Sequence, residues 1–218
     1  MSLHLQKDLE RLKKEILKLG NMVETQIDNA ILALKNREMS YVDSVLENEA
    51  GINDMEVKIE EDCLKMLALH QPVAGDLRFI VVALKVNNDL ERMGDFAKNI
   101  AKRAREIMQE EPVAVLPEFL NELPNTIRKM VSQSLDSMVS LNKELALEVI
   151  AMDEWVDDVN RDMHSEAKRI IRENPDKAEL AICLLSTSRY MERIGDLSTN
   201  IAEDVVFMID GKVIRHAD

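Results

Sequence analysis

The hydrophobic positions of this chain recur at steps of three and four residues over long stretches. One such series is Leu90, Met93, Ala97, Ile100 and Ala104. At about 100° per residue, these side chains lie along one side of an α-helix. The pattern predicts six long helices, which span approximately residues 5–36, 40–70, 76–109, 125–142, 143–173 and 176–210.

The arrangement of the predicted helices divides the chain into two halves. Pro112, Pro117 and Pro124 form its densest proline region, which indicates a joint between them. Three long helices joined by short turns pack antiparallel into a bundle. We therefore predict an all-α fold of two tandem three-helix bundles, residues 1–111 and 112–218.

The composition and net charge of the chain exclude some classes of function. Only 3% of residues are aromatic, and the net charge is −13 from 28 basic and 41 acidic residues. Such an acidic chain is a poor match for nucleic acid. Since it has no apolar leader and no run of roughly 18 uncharged apolar residues, we predict a cytoplasmic protein with at most peripheral membrane association. Cys63 and Cys183 lack a CxxC spacing, which favours buried free thiols.

An unusual segment occurs twice. Residues 91–101 read Glu-Arg-Met-Gly-Asp-Phe-Ala-Lys-Asn-Ile-Ala, and residues 192–202 read Glu-Arg-Ile-Gly-Asp-Leu-Ser-Thr-Asn-Ile-Ala. The apolar positions differ, as in Met93 against Ile194, whereas the Glu, Arg, Asp and Asn positions are identical. A packing requirement alone would preserve apolar volume and allow surface polar residues to vary. The repeat therefore indicates a polar site that is built twice.

The identical acids lie four residues apart and share one ridge of each helix, roughly opposite its apolar stripe. The ridges consist of Glu91, Asp95 and Asn99 in the first half and Glu192, Asp196 and Asn200 in the second. Gly94 and Gly195 lie mid-helix, where alanine is more favourable by about 1 kcal/mol. We expect another helix or a ligand to approach closely at both glycines.

The preceding helix of each half supplies a second pair of oxygen donors at the same spacing, Glu49 with Asn53 and Asp153 with Asp157. Because antiparallel helices pack about 8–10 Å apart, these pairs can converge on the ridges. Stacked carboxylates repel one another unless a cation neutralises them. Donors without His or Cys favour hard cations, and the predicted metal stays open among Mg, Mn, Fe and Zn.

Other interpretations stay open for these acids. Acidic helix faces are commonly just solvated, and Arg92 or Arg193 could pair with the carboxylates in exposed ion pairs worth about 0–1 kcal/mol. A ferritin-type di-iron enzyme would instead need Glu-x-x-His facing the bundle interior. The sequence shows neither a Ser/His/Asp nor a Cys/His arrangement, and no Gly-rich phosphate loop. We therefore predict a binding or regulatory protein that is not an enzyme.

The doubled Glu-Arg-x-Gly-Asp core, the stretch 53–56 and the Gln71-Pro72 junction resemble the PhoU family of phosphate-uptake regulators over essentially the whole chain. The resemblance implies two similar bundles, often dimeric, with multinuclear metal sites held by E(D)xxxD pairs. The implied ligands are Glu49, Asn53, Glu91 and Asp95, helped by Asn99, and Asp153, Asp157, Glu192 and Asp196, helped by Asn200. Asn53 stands where the second half has Asp157, so weaker metal binding is expected at the first site.

The resemblance also implies a function. The chain would be a negative regulator of phosphate uptake and of the phosphate-starvation response, acting between the phosphate ABC transporter and a sensor histidine kinase, as a homodimer. A metal-buffering or di-metal oxidase-type helical protein is the alternative.

Overall fold

The computed structural model describes residues 3–108 and 119–211, and within these ranges the chain is helical with no strand. The helices are α1 (Leu3–Asn36), α2 (Met39–His70), α3 (Ala74–Ile107), α4 (Phe119–Ser140), α5 (Lys143–Glu173) and α6 (Ala178–Asp210), and a short 3₁₀ turn at Pro175–Lys177 precedes α6. The predicted all-α fold is confirmed. No helix within these ranges combines the length and the apolar character that a bilayer span requires.

The start of α4 differs from the prediction. This helix begins at Phe119, so Pro124 lies inside it rather than before it. Proline removes the hydrogen bond to the carbonyl four residues earlier, but little of α4 precedes Pro124 and the fully buried Leu123 anchors that first part. Pro112 and Pro117 lie outside the described residues.

The corner between α4 and α5 also differs from the predicted boundary. We expected Asn142 to end the fourth helix, whereas α4 ends at Ser140 and Leu141 takes a positive φ of 53°. Asn142 instead caps α5, because its side-chain oxygen accepts a hydrogen bond from the backbone N–H of Leu145 at 3.1 Å. Capping satisfies one of the free N–H groups at a helix start.

Two bundles share one interior. Helices α1, α2 and α3 pack together, as do α4, α5 and α6, and the halves meet where α3 lies along α6 and α1 lies along α4. Helices α2 and α5 are therefore the outer helices. The apolar stripe predicted on α3 is buried, since Leu90, Met93, Ala97 and Ile100 have no exposed surface.

Polar and aromatic contacts join the two halves. The Lys85 ammonium on α3 lies 2.9 Å from a carboxylate oxygen of Asp204 on α6, whose side chain is only 4% exposed. On the same pair of helices, the rings of Phe96 and Tyr190 stack with centroids 6.0 Å apart. The interface thus fixes the two bundles by specific contacts as well as by apolar burial.

The cysteines are buried free thiols, as predicted. Burial raises the pKa of Cys63 to about 12 and that of Cys183 to about 11. Because the thiolate is the reactive form, both side chains act as packing residues near neutral pH.

The mid-helix glycines allow close helix contacts. A Cβ atom at Gly94 would lie 3.3 Å from Cδ1 of Ile52 on α2, and one at Gly195 would lie 3.4 Å from Cγ1 of Val156 on α5. The side-chain amide of Gln26 on α1 also donates to the Gly94 carbonyl at 3.2 Å. The expected close approach is confirmed, and another helix makes it in both halves.

We expect Gly94→Leu to lower the free energy of unfolding by about 1–3 kcal/mol, because its side chain would push α2 away from α3. Urea denaturation monitored by circular dichroism measures this. The control is Gly75→Leu, where a Cβ meets nothing within 4 Å. Equal effects of the two substitutions would contradict this account of the glycine.

Candidate functional site

The glycine contacts bring the predicted acids of each half face to face. Ile52, which touches Gly94, lies between Glu49 and Asn53 on α2. It therefore holds this pair of side chains against the ridge of α3. The second half repeats the arrangement, since Val156 lies between the two acids of α5 and touches Gly195 beside the ridge of α6. Helix packing at glycine thus positions both candidate sites.

Carboxylates converge in the second half. Asp157 from α5 and Glu192 and Asp196 from α6 each offer one oxygen, and these oxygens all lie within 4.8 Å of one another. In the described ranges, no other group of three His, Cys, Asp or Glu side chains meets this condition. Asp153 lies one turn before Asp157, and one of its oxygens accepts a hydrogen bond from the Thr199 hydroxyl at 3.2 Å. We call these four acids the second ridge site.

Burial and crowding disfavour negative charge at the second ridge site. Burial is the main cause that raises the pKa of Asp153, Glu192 and Asp196 above their ordinary values, and neighbouring carboxylates raise them further. The Arg193 guanidinium partly offsets this rise in pKa, since it lies 3.9 Å from Glu192 and 3.8 Å from Asp196. No donor in the described ranges hydrogen-bonds the buried Oε2 of Glu192.

A lysine occupies the corresponding place in the first half. The Lys98 ammonium contacts a carboxylate oxygen of Glu49 on α2 and lies 3.7 Å from Asp95 on its own helix. The Lys98 and Glu49 side chains are each 23% exposed. Their hydrogen bond is the main cause that raises the pKa of Lys98. We call Glu49, Glu91, Asp95 and Lys98 the first ridge site.

The remaining residues of the first half contribute less charge. Glu91 is half-buried, and burial, then Asp95 and Glu56, raise its pKa. Asn53 is exposed. Arg92 lies 3.6 Å from Asp89 rather than against the ridge acids. The motif arginine therefore lies within 4 Å of its own ridge acids in the second half, where Arg193 is 3.8 Å from Asp196.

The predicted site residues did not include two charged residues that lie in or beside the first ridge site, Lys98 and Glu56. Glu, Arg, Asp and Asn are identical in the two copies of the repeated segment, whereas Lys98 stands where the second copy has Thr199. That difference in the sequence could have indicated a difference in charge between the two sites. Glu56 follows Glu49 by two helical turns on the same side of α2, which the helical period also predicts. Asn99 and Asn200 lie half-buried one turn beyond the ridge aspartates, and their part as ligands stays a prediction.

The two sites differ in their fit to a metal. The second ridge site offers only oxygen donors, a buried carboxylate oxygen that accepts no hydrogen bond, and raised pKa values, which suits a hard cation such as Mg²⁺ or Mn²⁺. Asp157, Glu192 and Asp196 would hold it, with Asp153 beside them. The first ridge site already contains a cation in Lys98.

Comparison with known proteins shows which family has this tandem helical architecture. The PhoU domain model matches residues 16–104 and again residues 120–205. The chain belongs to the PhoU family. The predicted resemblance and the tandem repeat are both confirmed.

Relatives in this family match over nearly their whole length. The phosphate-specific transport system accessory protein PhoU homolog of Clostridium acetobutylicum is 34% identical over 95% of this chain and 94% of its own. The homolog of the same name from Aquifex aeolicus is 34% identical over 96% and 95%. The crystal structure of PhoU from Pseudomonas aeruginosa superimposes with a TM-score of 0.92 at 32% identity, covering 95% of this chain and 99% of that one.

We expect Glu192→Gln to stabilise the metal-free protein by about 0.5 kcal/mol at pH 7. The pKa of Glu192 is higher in the folded than in the unfolded chain, so its ionisation weakens the fold as the pH rises through the folded value. Replacing the acid removes this loss. Urea denaturation with a chelator present measures the difference.

The matched control is Glu154→Gln, at an exposed position on α5. It should leave the free energy of unfolding unchanged. A destabilised Glu192→Gln variant would show that the carboxylate is compensated in the metal-free protein, contrary to the geometry.

Proposed function

We propose that this protein is a negative regulator of phosphate uptake and of the phosphate-starvation response, which couples the phosphate ABC transporter to a sensor histidine kinase. The supporting observation is the similarity over 95% of the chain to proteins named as accessory to the phosphate-specific transport system. A cytoplasmic location and a homodimeric state are parts of the proposal. The protein acts by binding its partners, without catalysis.

The second ridge site is where a divalent metal enters this function. With a metal held by Asp157, Glu192 and Asp196, the repulsion among their carboxylates would be removed and α5 would be tied to α6. The bound ion would also reduce the negative charge of this face on a chain whose net charge is −13. A partner surface with acidic groups or phosphates could then approach this face.

The regulatory role is tested by alkaline phosphatase expression at high phosphate. Deleting the gene should derepress the phosphatase, and the wild-type gene should silence it again. The double variant Glu192→Gln with Asp196→Asn should fail to silence it, whereas Glu154→Gln should restore silencing fully. Unchanged phosphatase in the deletion strain would refute the regulatory role. Full silencing by the double variant would refute the metal's part in it.

Metal entry at the second ridge site should quench the fluorescence of Trp155. This side chain is the single tryptophan of the sequence, is half-buried, and lies between Asp153 and Asp157. Titration with Mn²⁺, a paramagnetic ion, should quench the wild-type protein saturably and leave an Asp157→Asn, Asp196→Asn double variant unquenched. Equal quenching of both proteins would place the ion elsewhere.

A further inference from the structure

The two ridge sites are built alike but differ in charge at one central position. Lys98 in α3 corresponds to Thr199 in α6, at the same place in the doubled segment. Both side chains reach across to the first member of the donor pair on the outer helix. The Lys98 ammonium contacts Glu49, and the Thr199 hydroxyl donates to Asp153 at 3.2 Å. The group that contacts the carboxylate is therefore positively charged in one half and neutral in the other.

The ammonium of Lys98 bridges carboxylates from two helices. One partner, Glu49, lies on α2, and the other, Asp95, lies on α3 at 3.7 Å. Bridging acids across these helices is what a metal would do at the corresponding place in the second half. With its side chain only 23% exposed, Lys98 is partly shielded from solvent, so its charge acts strongly on nearby groups.

The charge balance of the two sites differs accordingly. The first ridge site has three acids, one ammonium and a neutral amide at Asn53, whereas the second has four acids and no lysine. The motif arginines also differ, since Arg193 lies 3.8 Å from Asp196 and 3.9 Å from Glu192 whereas Arg92 lies 3.6 Å from Asp89. Both acids near Arg193 lie on α6, so this arginine does not bridge the two helices as Lys98 does. A divalent ion entering the first site would have to displace Lys98 or lie beside a like charge.

We propose that Lys98 is a built-in counter-cation that takes the place of the metal at the first ridge site, so that divalent metal acts on the second half alone. The inference rests on the metal-binding part of the proposed function. It assigns the two repeats different roles: the first bundle is charge-compensated at all times, and the second responds to the supply of cation.

Exchanging the two residues tests this assignment. The probe is Mn²⁺, counted per chain by equilibrium dialysis and followed by Trp155 fluorescence and thermal unfolding. Lys98→Thr should bind more Mn²⁺ per chain than the wild-type protein. With chelator its Tm should fall by about 2–4 °C, and Mn²⁺ should restore it. Thr199→Lys should lose Mn²⁺ binding and Trp155 quenching while its Tm in chelator does not fall.

Three further variants complete the test. Lys102→Thr, one turn along α3 from Lys98, should bind the wild-type amount of Mn²⁺. Lys98→Met keeps the length of the side chain without its charge, and it should gain Mn²⁺ as Lys98→Thr does if the threonine variant folds poorly. Asp95→Asn should leave the Mn²⁺ count of the wild-type protein unchanged.

Three results would overturn the proposal. They are a reduced Mn²⁺ count in Asp95→Asn, an unchanged count in both Lys98 variants, and the absence of Mn²⁺ binding by the wild-type protein. The last result would also remove the metal from the proposed function. The regulatory role itself would still be decided by the phosphatase response to gene deletion, so the two failures are distinguishable.

Discussion

The close packing of an outer helix against a glycine of its neighbour is the constraint on which both sites depend. A Cβ atom added at Gly94 would lie 3.3 Å from Ile52, and one added at Gly195 would lie 3.4 Å from Val156 and 3.3 Å from Ile127 of α4. In each half the acids of the outer helix lie directly beside that contact. The same packing that forms the core therefore forces carboxylates together at its edge, where they lose part of their hydration. The polar chemistry of the site is a consequence of the helix packing.

Carboxylates held in this way repel one another, and the two halves place different groups beside them. In the first half the Lys98 side chain delivers an ammonium to Glu49 and Asp95. In the second half Thr199 gives only a neutral hydrogen bond, and the pKa values of Glu192 and Asp196 stay raised by burial and by their neighbours. A charge carried on a covalently attached side chain is always present, whereas a bound ion depends on its concentration. Under the metal-binding proposal, the halves share a fold and differ in what their stability depends on.

The sequence predicted the architecture and the ridges because both follow from helical periodicity, which a single chain displays directly. Its errors arose where tertiary contacts outweigh local signals. Burial of Leu123 carries α4 past Pro124, and the cap that Asn142 gives to α5 sets the corner between the two helices. Periodicity also could not show which acids converge. The reach of Lys98 to Glu49 depends on the separation of two helices, and that separation follows from the packing at Gly94.

The asymmetry between the ridges matters because the halves are not independent. Phe96 follows Asp95 on α3, Tyr190 lies two residues before Glu192 on α6, and their rings stack across the interface. Each ridge helix is therefore in contact with the other one turn or less from the acids. Helix α6 packs on both α5 and α3, so a cation that tied α5 to α6 would act on a helix that also contacts the first bundle. Under the proposal that Lys98 takes the place of the metal at the first ridge site, the first bundle would stay unchanged while metal alters the second bundle packed against it.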